Sequence, residues 1–168
     1  MCALRWCDID LDERVVTISR AVAKGAGRGA VVRQTKTAIV GRIAISQQAN
    51  DVLEALKAER RSTASKAGAH LAEAAFVWAQ DVEGNRPVYP DTMTARFAKV
   101  RERSGVTGVQ LRHLRHFAAT QLLAAGVDVR TVAGRLRHAR PAMTLDRYAA
   151  WVPARDRDAA DILDDLAS

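Results

Sequence analysis

The stretch QLRHLRHFAATQLLAAGVDVRTVAGRLRHARPAMTLDRYAAW, residues 110–151, carries most of what this chain can be asked to do. Leu114, Phe117, Ala118, Gln121 and Leu122 recur at helical spacing, and Gly126 stops that pattern. Asp128 stands where a helix cap belongs, with Val129, Val132, Ala133 and Leu136 on the inner side of the helix that follows. A lone tyrosine, Tyr148, comes after His138. From Arg96 to Arg140 ten Lys/Arg stand against Glu102 and Asp128, so the positive charge collects around this stretch.

Working back to the start, Ala3, Leu4 and Trp6 read as the end of a helix, and Asp8 to Asp12 as a turn. Val15, Val16 and Ile18 are β-branched and predict a strand, Lys24–Gly29 (KGAGRG) a turn, and Ala30–Thr35 and Arg42–Ile45 two more strands. Together these predict a small three-stranded antiparallel meander. Ser46 is placed to cap a helix marked by Ala49, Val52, Leu53 and Leu56, which fades in the polar run from Arg60 to Gly68. Met93, Phe97 and Val100 predict a further helix ending before Gly105, and Pro153 opens a last one with Ala160, Ile162, Leu163 and Leu166. The expected fold is mainly α with that small sheet, an α+β class. Residues 1–153 form its main body and residues 154–168 an acidic C-terminal helix or tail, where two arginines stand against five aspartates.

The chain has 168 residues, 48% hydrophobic and 27% charged, which suits one folded domain with a real core and excludes a disordered chain. No apolar run approaches the roughly 18 residues of a membrane span. Acids sit in MCALRWCDID where a secretory signal would be apolar, so a cytoplasmic, nucleoid-associated protein is expected. Cys2 and Cys7 show neither metal-ligand spacing nor a disulfide framework and read as buried free thiols. A net charge of +7 favours a polyanionic partner.

Chemistry narrows this further. A tyrosine hydroxyl attacks phosphate only with cations and a proton acceptor nearby. Arg112 and Arg115 are three apart and share a helix face, and a guanidinium can hold two non-bridging phosphate oxygens at once. His138 and His113 can take or share a proton at neutral pH. Lys36, in Thr35-Lys36-Thr37, lies at a turn between strands, where a lysine can reach into a groove or protonate a leaving oxygen. A plainer reading stands beside this one. Thr120–Leu136 is helix, glycine turn, helix, which resembles a helix-turn-helix and would make a non-catalytic DNA-binding module. The strands and long helix that precede it, and the tyrosine that follows, exceed what such a reader needs.

Four stretches in order resemble the catalytic domain of the tyrosine recombinases, the phage-integrase family. They are LRWCDIDLD (Leu4–Asp12), TKT around Lys36, LRHLRHFAATQLLAAGVDVRTVAGRLRHA (Leu111–Ala139) and TLDRYAAW (Thr144–Trp151). The resemblance implies strand cleavage and rejoining in double-stranded DNA through a 3′-phosphotyrosine. Tyr148 would be the nucleophile, Arg115 the second catalytic arginine, His138 the histidine beside the tyrosine and Lys36 the general acid. Arg112, His113, Arg135, Arg137 and Arg140 would contact DNA. It implies neither metal nor other cofactor, and a tail from Asp156 to Leu166 that packs on a second copy.

The chain also departs from the family pattern. The histidine of the HxxR motif is Arg112, with His113 about 100° further round the helix. The glycine of the LGH motif is Arg137, which would be strained if the backbone there needs φ > 0. The family's first catalytic arginine belongs before the LRW segment, at which this chain starts, and Arg5 occupies a variable position. The expectation is a truncated recombinase catalytic domain with impaired strand transfer, or a decayed integrase fragment that still binds DNA.

Overall fold

The computed structural model describes residues 1–25, 30–34 and 41–137. They fall into two compact units, one spanning Met1–Gly108 and a second beginning at Val109. The expected division at residue 153 lies outside the described residues.

The first unit starts with Ala3 and Trp6 buried, but no α-helix leads into them. Trp6–Asp8 is a single 3-10 turn, and Arg5 pairs with Phe76 as an isolated β-bridge. The acidic segment expected as a turn holds a short strand, β1 (Ile9–Asp10). It pairs antiparallel with β2 (Val15–Ile18), in register Ile9 to Val16. β3 (Arg20–Lys24) follows after one residue and pairs with β4 (Ala30–Gln34) as a separate two-stranded ribbon. β5 (Gly41–Ala44) closes the three-stranded sheet on the other side of β2.

A three-stranded antiparallel sheet is therefore present, but its members differ from the meander expected. β1 and β3 went unread. β1 is two residues long, and RAVAK lacks the β-branched run that announces a strand. Each pairs with the next strand in the chain, Ile9 with Val16 and Lys24 with Ala30, so the hairpin pairing and not their own composition makes them strands.

α1 (Gln47–Lys66) opens as expected, with the Ser46 hydroxyl accepting from the Ala49 N–H at 3.3 Å. It does not fade at Arg60. The polar run stays helical because tertiary contacts recruit it. Ala64 is fully buried, Arg60 donates to the Asp81 carbonyl at 2.9 Å, and Lys57 and Arg61 converge on Glu73 at 3.0 and 2.9 Å. The core joins Trp6, Ile9, Ala64, Leu71, Ala75 and Val77, with Leu53 and Leu56 of α1 packed against it. Cys2 is half-buried and Cys7 exposed, so the thiols are free but not buried as expected. α2 (Pro90–Arg103) completes the unit, with proline in its first turn, where a missing N–H costs nothing.

The second unit holds α3 (Leu111–Ala124) and α4 (Val129–Arg135). Ala119 and Leu123 of α3 pack with Val132 and Leu136, and Leu122, Val127 and Val129 flank them. Leu114 and Phe117, which mark α3 in the sequence, are 48% and 66% exposed.

The first three helices end alike. The residue after the C-cap is a glycine at positive φ: Gly68 at 70°, Gly105 at 66° and Gly126 at 91°. Its N–H bonds back three residues, to Ser65, Glu102 and Leu123 respectively, at 3.0 to 3.1 Å. The next N–H bonds back five residues, to Ala64, Arg101 and Leu122, at 2.9 to 3.2 Å. This paired closure satisfies carbonyls that a helix end would otherwise leave open, and it needs the left-handed backbone glycine adopts freely. No helix among the described residues is long and apolar enough to cross a membrane.

Two glycines separate steric need from chain stiffness. At Gly84, φ is +81° and a Cβ would lie 2.6 Å from the Ala75 Cβ. Gly84→Ala should cost about 2–3 kcal/mol in urea unfolding, from overpacking and left-handed strain together. Gly134 sits inside α4 with nothing within 4 Å of a Cβ, so Gly134→Ala should stabilise by about 0.5–1 kcal/mol.

Asp81 gives a pH test. Burial pushes its carboxyl up, but the N–H groups of Arg86 and Asn85, at 2.8 and 2.9 Å, outweigh this and hold it below 3.8. A depressed folded-state value means stabilisation that is present above the unfolded value and lost as pH falls through the folded one. Asp81→Ala should therefore lower stability at neutral pH and flatten the acid-side loss below pH 3.8. Parallel acid limbs for the two proteins would rule this out.

Candidate nucleic-acid interface

α3 begins at an extended Gln110 and has no acidic residue in its first turn. The partial positive charge of a helix N-terminus is therefore uncompensated there, and Arg112, exposed in that turn, adds to it. Arg115 follows one turn later on the same face, also exposed. His113 is turned to another purpose. Its Nδ1 accepts the Gln110 N–H at 3.3 Å, and its half-buried ring lies 6.4 Å from that of His116. It caps the helix from within, away from the face that Arg112 and Arg115 share.

After Gly126 the chain re-enters a helix. The Asp128 carboxylate accepts the Thr131 N–H at 2.9 Å, as the sequence leads one to expect. Bonding from the Thr131 side chain and then its N–H holds the Asp128 carboxyl below its ordinary range. The pair of helices is closed by Ala119 and Val132, both fully buried. A polar contact joins the same two helices. Nη2 of Arg115 donates to the backbone carbonyl of Leu136, the C-cap of α4. The guanidinium thus reaches a helix C-terminus, the end where a cation is favoured. Arg135 is exposed in the last turn of α4.

Arg137 comes next, half-buried, at φ 55°. Its N–H bonds to the Gly134 carbonyl at 2.9 Å, the same three-residue closure that Gly68, Gly105 and Gly126 make. The position does take the left-handed backbone, and an arginine takes it.

The structure therefore places five of the sequence-identified residues on one helix pair: Arg112, His113, Arg115, Arg135 and Arg137. It links Arg115 to the end of α4 and commits His113 to a cap. Lys36, His138, Arg140 and Tyr148 lie outside the described residues, as does the acidic tail. Among the described residues no group of three or more His, Cys, Asp or Glu gathers as a metal ion would require.

Arg5 is engaged elsewhere, with its guanidinium carbon 4.9 Å from the Phe76 ring centroid. One pairing escaped the sequence reading. The Arg20 guanidinium lies 2.5 and 2.6 Å from the two oxygens of Asp8, whose carboxylate also accepts the Arg5 N–H at 2.9 Å. It ties the LRWCDID segment to β3. Twelve residues separate the partners, so no local pattern signals it.

Residues 1–155 match the family model described as the phage integrase family. A tyrosine recombinase XerC-like protein of Caldanaerobacter subterraneus subsp. tengcongensis is 24% identical over 174 residues, covering 97% of this chain and 44% of the relative. The ICEBs1 integrase of Bacillus subtilis is 24% identical over 166 residues, covering 99% of this chain and 44% of the relative. The chain thus spans less than half the length of these curated relatives. Among solved structures, the Tn1549 transposon integrase in complex with transposon right end DNA aligns with a TM-score of 0.75 at 20% identity, over 99% of this chain and 53% of that one. The XerA recombinase aligns at 0.64 and 18% identity, over 90% of this chain and 52% of that one. At such identities these structures establish the tyrosine recombinase catalytic-domain fold, and the family match extends that likeness across nearly the whole sequence: the chain belongs to the phage integrase family.

Proposed function

We propose that this chain carries the strand-transfer centre of a site-specific DNA recombinase. The observation that carries the reading is the α3 face. Arg112 and Arg115 stand one turn apart and exposed at an N-terminus with no acid, and Arg115 is tied to the end of α4 just before the segment that leads to His138 and Tyr148. A face with a positive helix end and two guanidinium groups suits a phosphodiester. Family membership supports the same reading, as does the DNA held by the Tn1549 integrase relative.

In this reading Tyr148 Oη attacks the scissile phosphorus, forming a 3′-phosphotyrosine and breaking the bond to the 5′ oxygen. Lys36 gives that oxygen a proton, and His138 takes or shares the one lost by Tyr148. Arg115 holds the charge that develops on the non-bridging oxygens. Attack by a 5′-hydroxyl on the phosphotyrosine restores the phosphodiester, so bond energy is conserved and neither metal nor nucleotide cofactor is called for. Arg112, Arg135, Arg137 and Arg140 bind the DNA backbone, and the acidic tail packs on a second copy on the DNA. His113, as a cap, contributes through the start of α3.

Arg112 makes this centre a slow one. Guanidinium does not lose its proton in a protein, so the position can hold phosphate but cannot exchange a proton as histidine can. A second reading, a DNA-binding module without strand transfer, is favoured by the same substitution.

A nicked suicide substrate separates the two. We expect a covalent protein–DNA adduct that forms slowly and is abolished by Tyr148→Phe. Arg112→His should speed its formation roughly 10²-fold, the scale on which one positioned group acts in such a site. DNA that shifts on a gel without any adduct, for either protein, would leave only the binding module. Affinity should fall steeply with salt, and Arg112→Ala should reduce the slope of log K against log salt by about one, as for one lost phosphate contact. An unchanged slope would place Arg112 off the DNA.

A further inference from the structure

Among the described residues four α-helices are closed by a residue at positive φ, and three of those residues are glycine. The exception is Arg137, at φ 55° after α4. A side chain at left-handed φ crowds the following carbonyl, and such a residue persists only where its surroundings over-determine it. α4 is poorly equipped to do so alone. It has seven residues, and one of them, Gly134, weakens it from inside.

We propose that Arg115 is the positioning residue that holds this turn: its guanidinium, bonded to the Leu136 carbonyl, fixes the peptide plane on which the left-handed conformation of Arg137 depends. The Leu136 carbonyl and the Arg137 nitrogen belong to one planar unit, and rotation of that plane about the Arg137 N–Cα bond is φ. Three contacts stop the rotation, one of them the bond from the Arg137 N–H to the Gly134 carbonyl at 2.9 Å. The Leu136 side chain is 8% exposed, packed with Ala119, Leu123 and Val132, and its carbonyl oxygen takes Nη2 of Arg115. The glycine-closed helices need no such clamp, because glycine enters this region without strain. A guanidinium has five N–H donors in a fixed fork, so binding one carbonyl leaves donors for a phosphate. Arg115 would thus set the start of the segment carrying His138 while serving the strand-transfer site. The inference rests on that reading only for the importance of His138. The clamp itself is a property of the protein without DNA.

The test uses the whole chain, DNA-free, with amide hydrogen exchange and NMR. Arg115→Ala should speed exchange of the Arg137 N–H by about tenfold, the equivalent of the strain that the clamp holds in place. In an Arg137→Gly background the same substitution should change it less than about threefold, because glycine keeps the turn unaided. The imidazole resonance of His138 should move in Arg115→Ala and return towards its native position in Arg115→Ala/Arg137→Gly. A general loss of stability gives no such rescue. Equal effects in both backgrounds, or no effect in either, would overturn the proposal. If Arg115→Ala does not fold, the native chain still decides: the Arg115 Nη groups should give separate resonances through hindered rotation, and one averaged signal refutes the clamp. No step here uses DNA, so a failed coupling test counts only against the clamp, and a missing adduct with the coupling intact counts only against strand transfer.

Discussion

A helix that must turn sharply at its end needs one residue with a left-handed backbone, and much of this structure hangs on that requirement. Gly68 releases the chain from α1 towards Leu71, Ala75 and Val77, which pack with Trp6 in the core. Gly126 turns the chain so that Val132 and Leu136 meet Ala119 and Leu123. The turn at Arg137 is made against the preference of its residue. Arg14, at φ 52° in the turn between β1 and β2, is the other non-glycine residue at positive φ among the described residues.

The first unit is arranged around a different economy. Trp6 is 1% exposed and gathers residues from the 3-10 turn, β1, α1 and the segment after it. The LRWCDID segment has little secondary structure of its own, so it is held by specific bonds. Asp8 accepts from Arg20 and from the Arg5 N–H, and the N–H groups of Trp6 and Cys7 bond to the Ala75 and Glu73 carbonyls at 3.1 and 2.8 Å. Buried polar groups that find partners in this way cost little, and those that do not are expensive. The segment is ordered because its partners come from two other parts of the chain, β3 and the residues after α1.

Charge works differently in the two units. Glu73 is drawn down by its bond to Lys57 and further by Arg61, an ion-pair arrangement that staples α1 to the loop after it. At the start of α3 no acid among the described residues pairs with Arg112, and the first turn holds none. The same residue types are thus paired where they support the fold and left facing outward where the helix begins. That contrast, more than the net charge of +7, is what suits the α3 face to a polyanion.

Much of this could be read from residues 110–151 and their neighbours before any coordinates were known. Helix starts at Ser46 and Asp128, stops at Gly105 and Gly126, and the inner face of α4 all follow from short-range patterns, because capping and periodicity act within a few residues. The family resemblance is equally local, since its motifs are short and keep their order. What escaped is non-local. α1 runs past Arg60 because Asp81 and Glu73 wait beside it, and Leu114 and Phe117 face outward although their spacing reads as core. His113 spends its Nδ1 on a cap, and Arg115 reaches across to the Leu136 carbonyl. A sequence names the groups that can bond, but each has several possible partners. Only the packed chain, which brings residues far apart in sequence within hydrogen-bond reach, selects among them.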